Sequence, residues 1–317
     1  METIPENVLN WLLERENPSI RYRVMKEIQK KLSNDEKMIE TQQSIVKSSY
    51  IQKIKNSMHP EGYWTVKKHD GRIIGAGVEY ATFNTTHYVL GYIAELGLTR
   101  KESWVELAAD RYLSLQTSDE DFYNYLSCLM GLNLRTFAKL GFGEDPRVLK
   151  RLSLLESYIR YDEGYLCDLH EGKTKRGRLV KSCYRGSVKA LFGLSEFPQV
   201  WHKPFVKNLI NYFLNREILF KTTNLKKLVR KDAGLTYFPF TYYAGLIDVL
   251  YPLCKMGYGS DKKVKRAWEI LENHKTEEGK YILDSSPNNR YLKPGERKQP
   301  NKWITFYSYL CYIFRDE

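Results

Sequence analysis

One pattern limits the folds open to this chain. From Thr85 onward, a helix-like run, a short turn rich in Gly or Pro, and a returning helix-like run recur with a period near 50 residues. His87 to Leu96 ends at Gly97, and Trp104 to Leu115 returns. Cys128 to Leu140 ends at Gly141-Phe142-Gly143, and Pro146 to Tyr158 returns. Cys183 to Phe197 ends at Pro198, and Pro204 to Leu219 returns. Tyr243 to Met256 ends at Gly257-Tyr258-Gly259, and Val264 to His274 returns; Trp303 to Phe314 closes the chain as half a unit. A helical hairpin of this size can bury its apolar face only against its neighbours, so the units must stack.

Two internal matches support the repeat. Ser127-Cys128-Leu129-Met130-Gly131 and Ser182-Cys183-Tyr184-Arg185-Gly186 share Ser-Cys-x-x-Gly at an offset of 55. The turns at Pro60-Glu61-Gly62-Tyr63, Asp162-Glu163-Gly164-Tyr165 and Glu277-Glu278-Gly279-Lys280-Tyr281 stand 102 and 115 residues apart, about two units each. Residues 1–57 also read as helices. Val8, Leu9, Leu12 and Leu13 form one apolar face, and Asn17-Pro18-Ser19 breaks it. A second helix starts near Ile20, and Asn34-Asp35 caps a third that runs through Met38, Ile45 and Ile54. Strand signals are almost absent, and no linker divides the chain. The expectation is one all-α domain over 1–317, with 1–57 an N-terminal helical segment packed on it. An open α-solenoid is one form such a stack can take.

Hydrophobic residues make up 42% of the chain and it carries 24 Tyr, enough to build a sizeable core and to exclude global disorder. The formal charge of +12 favours anionic partners, but Lys and Arg are spread along the whole chain, which weakens a nucleic-acid reading. No helix-turn-helix, zinc-finger or RNA-recognition signature occurs. Gly71, Gly75 and Gly77 do not make a phosphate loop. The start of the chain has no leader pattern, no run is long and apolar enough to span a membrane, and five scattered cysteines do not form a disulfide framework. A cytoplasmic location is expected.

With these elements in view, the chain resembles the α/α toroids of terpenoid cyclases and protein prenyltransferase β subunits. It is most similar to uncharacterised prokaryotic members of that superfamily. The residues that carry the resemblance include Trp11-Leu12-Leu13-Glu14, Asn17-Pro18-Ser19-Ile20-Arg21-Tyr22-Arg23, His59-Pro60-Glu61-Gly62-Tyr63-Trp64, Thr86-His87, Asp145-Pro146-Arg147-Val148, Gly186-Ser187-Val188-Lys189-Ala190-Leu191 and Lys302-Trp303-Ile304-Thr305. The resemblance implies helical hairpins closed into a ring, with inner helices around a central cavity. It does not extend to the catalytic motifs. No Asp-x-Asp-Asp acid and no Asp-Asp-x-x-Asp occurs; the nearest acidic cluster is Asp119-Glu120-Asp121. Lys181 stands where a prenyltransferase zinc carboxylate would precede Cys183.

Four sets of residues could carry chemistry. Cys128, Cys167 and Cys183, with His87 or His170 nearby in such a ring, would suit a tetrahedral zinc site; as small buried hydrophobes they need no metal. His87, opening an inner helix, is the candidate catalytic acid or base. Tyr242, Tyr243 and Trp303 are candidate walls of a ligand cavity. Basic runs at Lys173–Arg178, Lys226–Lys231, Lys262–Arg266 and Lys293–Lys298 could rim a cavity and meet a phosphate. The expected function is a soluble protein whose central cavity binds a small apolar, isoprenoid-like or phosphorylated ligand, with an enzymatic role left open. The alternative is a non-enzymatic scaffold that binds a protein or nucleic acid through basic surface.

Overall fold

The computed structural model describes residues 4–78, 82–115, 127–167, 172–175 and 177–316. Helices pair as hairpins. Helix α1 (Glu6–Leu12) precedes α2 (Pro18–Arg23), which runs into a π-helical turn at Val24–Ile28 and packs on α3 (Glu36–Lys47); α4 (Ser49–Asn56) extends α3. Next come α5 (Thr86–Glu95) with α6 (Ser103–Leu113), and α7 (Ser127–Phe137) with α8 (Pro146–Ser157). Then follow α9 (Tyr184–Leu194) with α10 (Pro204–Leu214), α11 (Leu246–Lys255) with α12 (Lys265–Glu272), and last α13 (Lys302–Asp316).

The first members of these hairpins form a ring. Helix α5 packs on α7, α7 on α9, α9 on α11 and α11 on α13; α13 then packs on α2 and its π turn. Arg23 closes the circuit by reaching Glu95 on α5, with Nη1 3.1 Å from Oε2. The N-terminal α1 lies against α13 and so supplies that helix with its outer partner. The stack is therefore an all-α closed toroid of hairpins and not an open solenoid.

Local chemistry sets many of the boundaries. Asp35 Oδ1 accepts from the backbone N–H groups of Lys37 and Met38, which starts α3, and Asp145 caps α8 with Pro146 at its first position. The third helix is not continuous to Ile54 as its apolar period suggested. Ser48 turns extended and its hydroxyl accepts from Ile51 N–H, so a serine cap splits the run into α3 and α4. Among the described residues four two-stranded antiparallel pairs also occur: β1 (Val66–Lys67) with β2 (Ile73–Ile74), β3 (Thr174–Lys175) with β4 (Arg178–Leu179), β5 (Phe220–Lys221) with β6 (Asn224–Leu228), and β7 (Ile282–Leu283) with β8 (Gln299–Pro300). They are short, and most of their residues face solvent, so they lack the alternating apolar pattern that would reveal a strand.

The three acidic-Gly-aromatic turns mark every second junction. After the first, the backbone N–H of Trp64 donates to Thr86 Oγ1 (2.8 Å) and its indole N–H to Ile54 O (2.9 Å). After the second, Tyr165 N–H donates to Ser187 Oγ (2.9 Å) and its hydroxyl to Leu155 O (2.8 Å), all three positions 101 residues further on. After the third, Tyr281 N–H donates to Thr305 Oγ1 (2.8 Å). A hydroxyl in the first turn of α5, α9 and α13 thus ties each inner helix to the connection before it. The turns reach this geometry differently. Gly62 and Gly279 take positive φ, whereas in the middle turn Glu163 does. Gly164 is required there for space, since a Cβ would lie 2.6 Å from Ser182 Cβ.

Candidate functional site

The ring is filled partway along its axis. Arg135 on α7 is buried, with its guanidinium 4.0 Å from the Phe192 ring centre, and Phe240, Tyr251 and Tyr307 complete the box. Arg135 Nη2 donates to Glu95 Oε1 (2.7 Å) and to the Tyr307 hydroxyl (2.8 Å), and Nη1 bonds Glu196. Tyr307 donates in turn to Glu95, and Arg23 reaches both. Burial alone would raise the Glu95 pKa, but Arg135, Lys139 and Arg23 hold it well below the usual carboxylate range. All six inner helices or their flanks contribute to this plug. Sequence reading missed it, although a charge inside an apolar helical run, as at Leu134-Arg135-Thr136-Phe137, is the available signal.

On the side of the plug where the inner helices begin lie most of the expected site residues. His87 is buried in the first turn of α5; Nδ1 stands 2.9 Å from Asn133 Oδ1 and 3.4 Å from the Tyr112 hydroxyl. The acceptor oxygen of Asn133 places the proton on Nδ1. Burial lowers the His87 pKa to about 3, so the ring is neutral at physiological pH.

Cys128 on α7 and Cys167 come together with Leu129, and Tyr242 packs over them. A hydrogen bond with Cys167, then burial, push the Cys128 thiol well up, and Cys183 adds to the shift. Cys183 itself caps α9, its sulfur accepting from Gly186 N–H at 3.5 Å. Cys128 and Cys167 thus pack together, while Cys183 is engaged at the start of α9. Among the described residues no group of three His, Cys, Asp or Glu side chains is placed to hold a metal ion. His170 and Asp119-Glu120-Asp121 lie outside the described residues.

Tyr243 stacks on Tyr237 with ring centres 5.3 Å apart and planes 9° from parallel, and Phe83 approaches both Tyr243 and Tyr88. Arg185, in the first turn of α9, lies over Tyr242 at 4.6 Å and Tyr243 at 5.8 Å, and its Nη2 donates to Asp232 (2.9 Å). Tyr242, Tyr243, Phe83 and Arg185 are only partly buried, so this aromatic mouth can be reached from solvent. Trp303 is elsewhere. It stacks on Phe238 (4.3 Å, 11°) and lines a different cavity, of about 550 Å³, with Trp11, Tyr50 and Lys302; neither Tyr242 nor Tyr243 lines it.

One other feature bears on earlier expectations. Gly131 lets α7 and α9 touch, since a Cβ there would lie 2.1 Å from Lys189 O, so the glycine of that Ser-Cys-x-x-Gly copy is a packing residue. His274 is largely buried, with Nδ1 2.7 Å from Ile270 O and Nε2 2.7 Å from Asp284 Oδ2. Burial opposes its charge, but the Asp284 and Ile270 acceptors win and raise its pKa.

No protein-family model matches this chain, and no curated protein does. Among solved structures it is similar to a polysaccharide lyase (14% identity, 96% of this chain and 90% of that chain, TM-score 0.49). It is also similar to the type II terpene cyclase MstE from Scytonema without ligand (10% identity, 84% and 96%, TM-score 0.34). A third similar structure is a variant of MstE with its substrate geranylgeranyl dihydroxybenzoate (10% identity, 98% and 99%, TM-score 0.35). The closed ring stands on the helix contacts themselves. No helix among the described residues is long and apolar enough to cross a membrane.

Proposed function

We propose that this protein binds a small amphipathic ligand at the aromatic mouth. An apolar, isoprenoid-like body would lie against Tyr88, Tyr237, Tyr242, Tyr243 and Phe83, with a polar or anionic head at Arg185. The observation that carries this reading is the stacked Tyr237–Tyr243 pair with Arg185 over the neighbouring ring, at the end where α5, α7 and α9 present their first turns. Such rings offer apolar surface at low entropic cost, and helix N-termini and a guanidinium favour a negative head. The reading concerns binding. His87 is neutral and enclosed by its own partners, so no acid–base step is assigned to it. Titration calorimetry with farnesoic acid tests it: one-to-one binding is expected, weakened at least about tenfold by Tyr243→Ala. Unchanged affinity in that variant would remove the mouth as the site.

The scaffold reading has its own observation. Hairpins β3–β4 and β5–β6 expose Lys173, Lys175, Arg178, Lys226 and Lys227. Salt-sensitive binding of a duplex oligonucleotide, lost when Lys226 and Lys227 are changed to Glu, would favour it over ligand binding.

A further inference from the structure

At the opposite end of the ring, beyond the Arg135 plug, the inner helices end around a basin of about 440 Å³. Its walls come from every inner helix or its flank: Arg23, Lys26, Glu27 and Lys30 after α2, Ala94 on α5, Lys139 after α7, Glu196 after α9, Lys255 on α11 and Phe314 on α13. Five cations face two carboxylates, a formal excess of three positive charges within one cavity. None of these cations belongs to the basic runs visible in the sequence; the ring gathers them from three separate segments.

Helix C-termini attract cations, and this explains lysines on a rim. It does not explain Lys139. Its side chain is largely buried (14% exposed), and Glu95 Oε2 stands 3.9 Å from its Nζ, beyond hydrogen-bond reach. Glu95 is already engaged by Arg135, Arg23 and Tyr307; Glu27 is engaged by Arg23, and Glu196 by Arg135 and Lys255. Arg23 and Arg135 both push against a charge on Lys139, while Glu95 and Glu27 favour it. Burial and these arginines together bring the amine down to about 7. A buried ammonium beside two guanidinium groups costs stability unless something else completes its hydrogen bonds.

We propose that this basin is a second binding site, for a small phosphate-bearing anion, with Lys139 at its floor as the hydrogen-bonding cation and Lys26, Lys30 and Lys255 around it. A phosphate oxygen on Lys139 supplies the missing acceptor, and its charge makes protonation of the amine favourable. Binding therefore takes up a proton near neutral pH. The cavity lies within the size range of small-molecule sites. The proposal is independent of the aromatic mouth, on the far side of the plug.

The test is calorimetric titration of the full chain with inorganic pyrophosphate at pH 6.5 and pH 8.5. The wild-type affinity is expected to fall roughly tenfold or more over this range as Lys139 loses its proton. The charge of the probe grows over the same range, so the probe cannot cause the fall. Lys139→Arg, which cannot lose its proton, should keep binding and lose the pH dependence. Lys139→Met, which removes a strained buried charge, should fold and bind at least about tenfold more weakly. Absence of pyrophosphate binding by the wild type, equal binding by Lys139→Met, or the same pH dependence in Lys139→Arg would overturn the proposal. Citrate binding more tightly than pyrophosphate would overturn the assignment to phosphate.

Discussion

Arg135 Nη2 donates to Glu95 Oε1 at 2.7 Å in the middle of the ring, with both side chains almost fully buried. The pair, with Arg23 and Tyr307, turns what could be a through-channel into two separate ends. Removing the acceptor should be costly because two guanidinium groups would lose their shared carboxylate. Glu95→Ala is expected to destabilise the protein by about 3–5 kcal/mol, read from urea unfolding midpoints. A loss below about 1 kcal/mol would mean that the network does not hold the helices together.

Stability should fall on mild acidification because of His87. Its pKa is lowered to about 3 from an ordinary 6.5, so its contribution is complete above pH 6.5 and is lost as pH falls from there toward 3. Glu196 is lowered from 4.5 to about 2, and its contribution is lost only below about pH 4.5. His274, with a raised pKa, acts in the other direction and at higher pH: its contribution is full below 6.5 and is lost as pH rises through the folded value. Between pH 6.5 and 4.5, His87 therefore contributes a slope of up to about 1.4 kcal/mol per pH unit. His87→Gln, which keeps an amide donor for Asn133, should flatten that part of the unfolding-versus-pH curve. An unchanged slope would show that His87 titrates normally.

The contact between α7 and α9 should not tolerate even one methyl group. Gly131→Ala would set a Cβ 2.1 Å from Lys189 O, and Lys189 forms a buried ion pair with Asp248 on α11. Separating the helices would disturb both. A loss of about 1–3 kcal/mol or more is expected in thermal or urea unfolding, against a near-neutral effect of Gly71→Ala on stability through crowding, where an added Cβ meets nothing. Positive φ at Gly71 adds a separate strain, and Gly71→Asn, which tolerates that conformation better, is the cleaner control.

Much of the ring was legible in the sequence because its hairpins repeat. The runs beginning near His87, Trp104, Cys128, Pro146 and Cys183 became α5 to α9 with boundaries shifted by a few residues. The closure of the ring was less visible. It depends on α2 and α13, at opposite ends of the chain, and on Arg23 meeting Glu95 and Tyr307 across long sequence separations. Cys128 and Cys167 pack together under Tyr242, while Cys183 opens and caps the neighbouring inner helix. Trp303 did not join them; its face is taken by Phe238, a local stacking that periodicity does not encode. The basin around Lys139 was hidden for a similar reason. Its cations come from three separate helix ends, and no run of basic residues announces them.

The central claim is that the aromatic mouth, and neither the Trp11–Trp303 cavity nor the basin around Lys139, takes the amphipathic ligand. Photo-crosslinking with a benzophenone-tagged farnesyl carboxylate, followed by peptide mass mapping, tests it most directly. Labelling of the 237–245 segment or of Phe83–Tyr88, suppressed by excess farnesoic acid, is the predicted result. Competable labelling confined to the Trp11–Trp303 cavity or to the basin around Lys139, or no competable labelling at all, would contradict it.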